Sequence, residues 1–232
     1  MKQLLSIDTA NEYLSLALSL TDGQIATFQS KVGNKQSQYI LPTIQNLLAE
    51  QNINLSAIDG IAYNQGPGSF TGLRIGLSVA IALAYSLQIP LYPVDMFQCY
   101  ARIITTERPI LVILDARLGQ IYAAVIEPHT LNYLIKPSLL NPEQLETWIT
   151  THNLASNNFI VVGTGYEVYQ EQIQQQLSNL EIVEHLYPEA SMLLKIALQP
   201  NAPTCTPQHA ELLYLRDKVA LNLEEQRQGK KS

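Results

Sequence analysis

Two aspartates, a threonine and two glycine-bearing turns are the residues of this chain whose types and spacing could do chemistry. Asp8 ends the apolar run Leu4-Leu5-Ser6-Ile7 and is followed by Thr9, while Asp115 ends the run Leu111-Val112-Ile113-Leu114. A carboxylate at a strand end beside a cleft can orient a water or hold Mg²⁺ near phosphates. A turn such as Gly163-Thr164-Gly165 lets backbone approach an adenine or ribose closely. Asp8, Thr9, Asp115 and Gly165 therefore form a candidate weak nucleotide-binding set. The competing reading is that both aspartates cap turns between adjacent strands, the commoner work of Asp at such a place. A kinase or ATPase also needs a catalytic base and phosphate-gripping lysines, and none stands out.

The most informative stretch is Gly66-Pro67-Gly68-Ser69-Phe70-Thr71-Gly72-Leu73-Arg74-Ile75-Gly76. A P-loop would place Lys after Gly72, where Leu73 stands, and a dinucleotide fingerprint would place Gly at Thr71. Both nucleotide motifs fail on spacing. What remains is a strand-to-helix turn whose amides could receive an anion or a partner's carboxylate. A tight turn accounts for Gly66 and Gly68 but not for Gly76, because a glycine inside a helix costs about 1 kcal/mol relative to alanine. Gly72, Gly76, Ala80 and Ala84 recur every four residues as a stripe of small side chains beside Leu73, Leu77 and Ile81, so a second helix, from the same chain or another protein, could approach closely.

Other chemistries lack their residues. His129, His152, His185 and His209 are scattered, Cys99 and Cys205 stand alone, and no G-x-S-x-G elbow occurs, so neither a metal site nor a nucleophile is expected. The 232 residues are 47% apolar and 15% charged with a net charge of -6. That composition is globular, and its charge alone would repel a phosphate backbone, so any contact with nucleic acid needs a partner. No membrane association is expected: the start reaches Asp8 after too short an apolar run for a leader, and the stretch over 73–91 carries Arg74, several serines and Pro90. With isolated cysteines, the expected compartment is the reducing cytoplasm.

The elements that must position these residues recur. Strands are expected over 3–8, 13–20 and 24–30, a helix capped by Ser37 and ending near Asn52, a strand over 58–64, a helix over 70–87 and a strand over 91–94. Pro42 would kink that first helix or mark its start. The second half restarts at 109–115, so that Leu4 falls on Leu111 and Asp8 on Asp115. A strand over 120–127, helices over 141–151 and 166–177, a strand over 180–184 and a helix over 189–198 follow. Phe159 to Gly165 repeats the strand and Gly-x-Gly of Asp59 to Gly68. The expectation is an α/β fold of two duplicated lobes, 1–104 and 105–200, then 201–232 as a final helix over 208–219 with a polar tail.

The opening Leu4-Leu5-Ser6-Ile7-Asp8-Thr9, the glycine-rich run 66–76, the segment Leu114-Asp115-Ala116-Arg117-Leu118-Gly119-Gln120-Ile121-Tyr122 and the ending Tyr214-Leu215-Arg216-Asp217-Lys218-Val219-Ala220 closely resemble the TsaB (YeaZ) family over nearly the whole chain. The resemblance implies the actin-like, sugar kinase-like and Hsp70-like ATPase fold, related to RNase H. It further implies a non-catalytic dimerisation subunit of the bacterial complex that makes threonylcarbamoyl-adenosine in tRNA. In that family the paralogue TsaD holds a metal through His-x-x-x-His and transfers the threonylcarbamoyl group to the adenosine beside the anticodon, and the ATPase TsaE docks on the pair. Gln36-Ser37-Gln38 stands where TsaD has those histidines and where many relatives keep His-Ser-Glu.

The resemblance also implies that the helix after the glycine-rich turn and the helix before it form the pairing surface, in a homodimer and in the heterodimer with TsaD. The expected partner-interface residues are Ser37, Ile40, Leu41 and Ile44 with Gly66, Pro67, Gly68, Ser69, Phe70, Thr71, Gly72, Leu73, Arg74, Gly76, Leu77 and Ala80, packed around Gly72, Gly76 and Ala80. On that expectation leucine at 76 blocks pairing and leaves the monomer's circular dichroism native. No cofactor is expected, ATP and Mg²⁺ entering only within the complex, and tRNA is met only through the complex. The rival functions are a stand-alone ATPase or kinase of this fold, and a glycoprotease-like peptidase.

Overall fold

Short β-branched and leucine-rich runs separated by Asx turns build the first sheet. The computed structural model describes residues 2–155, 158–177 and 180–216. Strands Leu4–Asp8 (β1), Tyr13–Ser19 (β2) and Ile25–Lys31 (β3) form an antiparallel meander. The side chains of Asn11 and Asp22 accept the amides of Tyr13 and Gln24 and so close its turns. β1 is buried throughout, because both faces of the sheet are covered, while β3 alternates half-buried and exposed positions as an edge strand does.

Helix Gln36–Glu50 (α1) follows a 3₁₀ turn, Gly33–Lys35. It runs through Pro42, and Lys35 rather than Ser37 precedes it, without a side-chain cap. Strand Gly60–Gly66 (β4) pairs parallel with β1, helix Phe70–Leu87 (α2) returns over the sheet, and strand Leu91–Asp95 (β5) completes it beside β4. Ser69 caps α2 by accepting the Gly72 amide at 3.3 Å, and Gln88 ends it in the left-handed region at φ 56°. Helix Met96–Ile103 (α3), which the sequence reading passed over, starts where the Asp95 carboxylate accepts the Gln98 amide at 2.8 Å.

The second half repeats the pattern with strands Ile110–Arg117 (β6), Gln120–Ile126 (β7) and Tyr133–Leu140 (β8), helix Leu145–Thr151 (α4) and strand Ile160–Val162 (β9). Helices Thr164–Val168 (α5) and Gln170–Gln176 (α6), strand Glu181–Val183 (β10) and helix Ala190–Ala197 (α7) complete it. The first sheet has the order β3-β2-β1-β4-β5 and the second β8-β7-β6-β9-β10. The two orders correspond strand for strand, and so do the antiparallel and parallel pairings. The duplicated two-lobed α/β fold expected from the repeat is the fold observed.

The lobes exchange cover. α7 comes from the second half yet packs on β1 and β2 of the first sheet, and α3 comes from the first half yet packs on β6 and β7. Ser6 donates its hydroxyl to the Ala190 carbonyl oxygen at 2.7 Å and Ser15 accepts the Ala190 amide at 3.0 Å, seating the start of α7 on the first sheet. One apolar core, with Leu4, Phe97, Val112 and Leu194, therefore runs between the sheets. The boundary at 104 separates the two sheets but not what covers them.

The expected final helix is corrected. After a 3₁₀ turn, Pro207–His209, residues 210–216 are not helical, and the remainder of that expectation, 217–219, lies outside the described residues. Leu213 explains why: its amide donates to the Gln65 carbonyl oxygen at 2.8 Å, so this backbone is bonded to β4 instead of to itself.

Candidate functional site

The glycine-rich turn is built against the end of β1. Gly66 has φ +112°, a left-handed conformation suited to glycine, and its peptide to Pro67 is cis. The Ser69 amide donates to the Ala10 carbonyl oxygen at 2.7 Å. A Cβ on Gly68 would stand 2.7 Å from the Cβ of Ala10, one on Gly72 would overlap the Thr9 carbonyl oxygen, and one on Gly76 would stand 2.6 Å from Thr9 Oγ1. Thr9 Oγ1 in turn donates to the Gly72 carbonyl oxygen at 2.7 Å.

The small-residue stripe is thus filled by the molecule's own atoms, which corrects the expectation of a second helix there. Gly66, Pro67, Gly72, Leu73, Gly76 and Ala80 are buried within the chain, as are Ile40 and Ile44 of α1, so none of them presents a surface to a partner. Leucine at 76 would collide with Thr9 and disturb the monomer itself.

The remaining expected residues face outward. Ser37, Leu41, Gly68, Ser69, Phe70, Thr71 and Arg74 are exposed and Leu77 is half-buried. By length and composition alone α2 could cross a membrane, yet it packs on the sheet through Gly72, Leu73, Gly76, Ala80 and Ala84 and leaves its other residues partly or fully open. The open residues of α2 include Phe70, Ile75, Ala82 and Tyr85, and α1 exposes Tyr39, Leu41 and Pro42. Ile75, Ala82 and Tyr85 were not among the expected residues, although they lie off the stripe of α2 at helical spacing, and neither was Tyr39 of α1. At the start of α2 the Arg74 guanidinium lies 3.5 Å from the centre of the Phe70 ring and donates to Tyr214 Oη at 3.2 and 3.3 Å.

The aspartates serve turns. Asp8 Oδ1 accepts the Ala10 amide and Asn64 Nδ2, each at 2.9 Å. Burial pushes its carboxyl above the ordinary range, against the pull of these two hydrogen bonds. Asp115 Oδ1 accepts the Arg117 amide at 2.8 Å, the same two-residue step, and Tyr169 Oη at 3.2 Å, while Arg117 pairs with Oδ2 at 3.1 Å. Gly165, in the first turn of α5, packs on β6, where a Cβ would meet Leu114 and Ile113 backbone at 2.8 and 3.0 Å. Asp8 and Thr9 do come together with the glycine-rich turn. Gln36 is buried and donates Nε2 to the Asn11 carbonyl oxygen at 2.7 Å.

The sequence model of the family described as "TsaD: tRNA N6-adenosine threonylcarbamoyltransferase" matches residues 30–221. The chain is 30% identical to the tRNA threonylcarbamoyladenosine biosynthesis protein TsaB of Escherichia coli, over 94% of its own length and 96% of that protein. It is 28% identical to the protein of the same name from Haemophilus influenzae, over 93% and 94%. The solved structure of YeaZ from Pseudomonas aeruginosa superposes with a TM-score of 0.76 at 27% identity, covering 93% of this chain and 100% of that one. With this turn, this duplicated topology and similarity along nearly its entire length, the chain belongs to the TsaB (YeaZ) family of tRNA threonylcarbamoyladenosine biosynthesis proteins.

Proposed function

We propose that this protein is a cytoplasmic, non-catalytic partner subunit that binds and activates TsaD, together with TsaE, for threonylcarbamoyl transfer to the adenosine beside the anticodon of tRNA. The observation that carries this reading is the uncovered face of α1 and α2. A long apolar helix that buries only one stripe in its own chain, packed beside α1, which itself exposes Tyr39 and Leu41, is suited to a helix-bearing partner. Ser37, Leu41, Ser69, Phe70, Thr71, Arg74 and Leu77 are its contact residues, joined by Tyr39, Ile75 and Ala82, and a second copy of the chain occupies the same face when TsaD is absent. Gln36 supports the non-catalytic part: its side chain is spent on the Asn11 carbonyl oxygen. ATP and Mg²⁺ belong to the assembled complex in this reading, and tRNA is reached through TsaD.

The test is reconstitution from purified TsaD, TsaE, tRNA and a source of threonylcarbamoyl-AMP, with and without this protein. Modification that depends on it, with none from the protein alone, is the expected result. Full modification in its absence would refute the proposal.

A further inference from the structure

The segment 204–216 lies along α2 and ends on the other lobe. Leu91 and Cys205 exchange two backbone hydrogen bonds of 2.9 Å, Tyr63 Oη donates to the Glu211 carbonyl oxygen at 2.9 Å, and the Leu213 amide donates to Gln65. These contacts hold the segment to the first sheet. Leu212 then lines one groove with Leu77 and Ile81 of α2, and Tyr214 takes the Arg74 guanidinium beside Phe70. Two residues later Arg216 Nη2 donates to the Ala116 carbonyl oxygen at 3.0 Å and approaches that of Arg117 at 3.4 Å.

The internal repeat gives this last contact its meaning. With Asp8 set on Asp115, Thr9 falls on Ala116 and Ala10 on Arg117. In the first lobe the glycine-rich turn covers this bend: Ser69 donates to the Ala10 carbonyl oxygen, and Gly72 lies against that of Thr9. In the second lobe α5 begins at Thr164 with no comparable run of small residues, and a guanidinium from the far end of the chain takes the corresponding carbonyls. A charged donor to backbone carbonyls is the stronger class of hydrogen bond.

We propose that residues 204–216 are a strap by which Arg216 and Tyr214 act as positioning residues, holding the β6–β7 bend of the second lobe in register with the start of α2 and so presetting the partner face. The part concerning the partner rests on the function proposed above. The Tyr214 hydroxyl orients Arg74 over Phe70 at the rim of that face, and Arg216 ties the same strap to the second lobe. Loss of either leaves the folded lobes intact but loosens the first turn of α2.

The test is amide hydrogen exchange on the full-length protein, followed by titration of TsaD into each variant. Arg216→Ala should speed exchange about tenfold at the β6–β7 bend and at 70–74, with the midpoint of thermal unfolding little changed, and weaken TsaD binding about tenfold. Tyr214→Phe should speed exchange at 70–74 alone. Arg216→Lys keeps a charged donor and should restore most of the affinity, which a general loss of stability would not allow. Unchanged exchange at both places in Arg216→Ala would overturn the strap whatever TsaD does. Should the wild-type protein fail to bind TsaD, the exchange results still decide the strap, and only the function proposed above falls.

Discussion

The Thr9 hydroxyl bonds to the Gly72 carbonyl oxygen at 2.7 Å and occupies the space that a side chain at Gly76 would need. The small residues of α2 therefore serve the seam between β1 and α2, and the two positions differ in how far their surroundings can yield. A Cβ on Gly72 meets backbone, which must shift as a whole. One on Gly76 meets a single side-chain oxygen, which can turn away only by giving up its bond to Gly72. Gly72→Ala should cost about 3 kcal/mol or more, and Gly76→Ala about 1 kcal/mol once the gain in helix propensity is counted. Urea unfolding followed by circular dichroism measures both, and equal costs would contradict this account of the seam.

Asp8 gives a pH prediction. Burial raises its folded-state pKa above the unfolded value, so the folded chain holds its proton more tightly. Stability contributed by the protonated form is present below the unfolded pKa and is lost as pH rises through the folded one. Asp8→Asn keeps an Oδ1 acceptor for the Ala10 amide. It should be at least as stable as the wild type at pH 7, and in a thermal-unfolding profile that advantage should shrink as pH falls through the folded-state pKa and the wild-type carboxyl takes up its proton. A variant that unfolds more easily at pH 7 would show that the charge itself is needed.

Gln36 is predicted to be structural. Gln36→Leu removes the donor to the Asn11 carbonyl oxygen and should cost about 1–2 kcal/mol of unfolding free energy. The loss should be visible as weakened protection of the Tyr13 and Val32 amides by hydrogen exchange, since Val32 also bonds across this turn to Glu12 at 3.0 Å. Unaltered protection would mean that the glutamine does not hold the turn.

The duplication was legible because Asp8 and Asp115 end matching apolar runs, and the sheets repeat strand for strand. α2 was legible from end to end, since the tight glycine turn before it and the apolar stretch over 70–87 mark it. What Gly76 faces was not. A helical glycine reports that something comes close, and the identity of the neighbour, here Thr9 of β1, depends on long-range packing that spacing does not encode. α3 was missed because its eight residues, Met96 to Ile103, are too few to establish a period. The 208–219 helix was misjudged because Ala210, Leu212, Leu213 and Leu215 pack an extended segment onto α2 and the core, and apolar residues closely spaced in sequence suit either conformation.

Ala82 lies exposed on the outer face of α2, away from Gly72, Gly76 and Ala80, and the affinity of the Ala82→Arg protein for TsaD tests the partner-face reading most directly. Arginine is a good helix former, so the thermal-unfolding midpoint should stay at the wild-type value while calorimetric titration with TsaD shows binding weakened by at least about tenfold, or 1.4 kcal/mol. Wild-type affinity in a normally folded Ala82→Arg protein would contradict the claim that this face carries the partner.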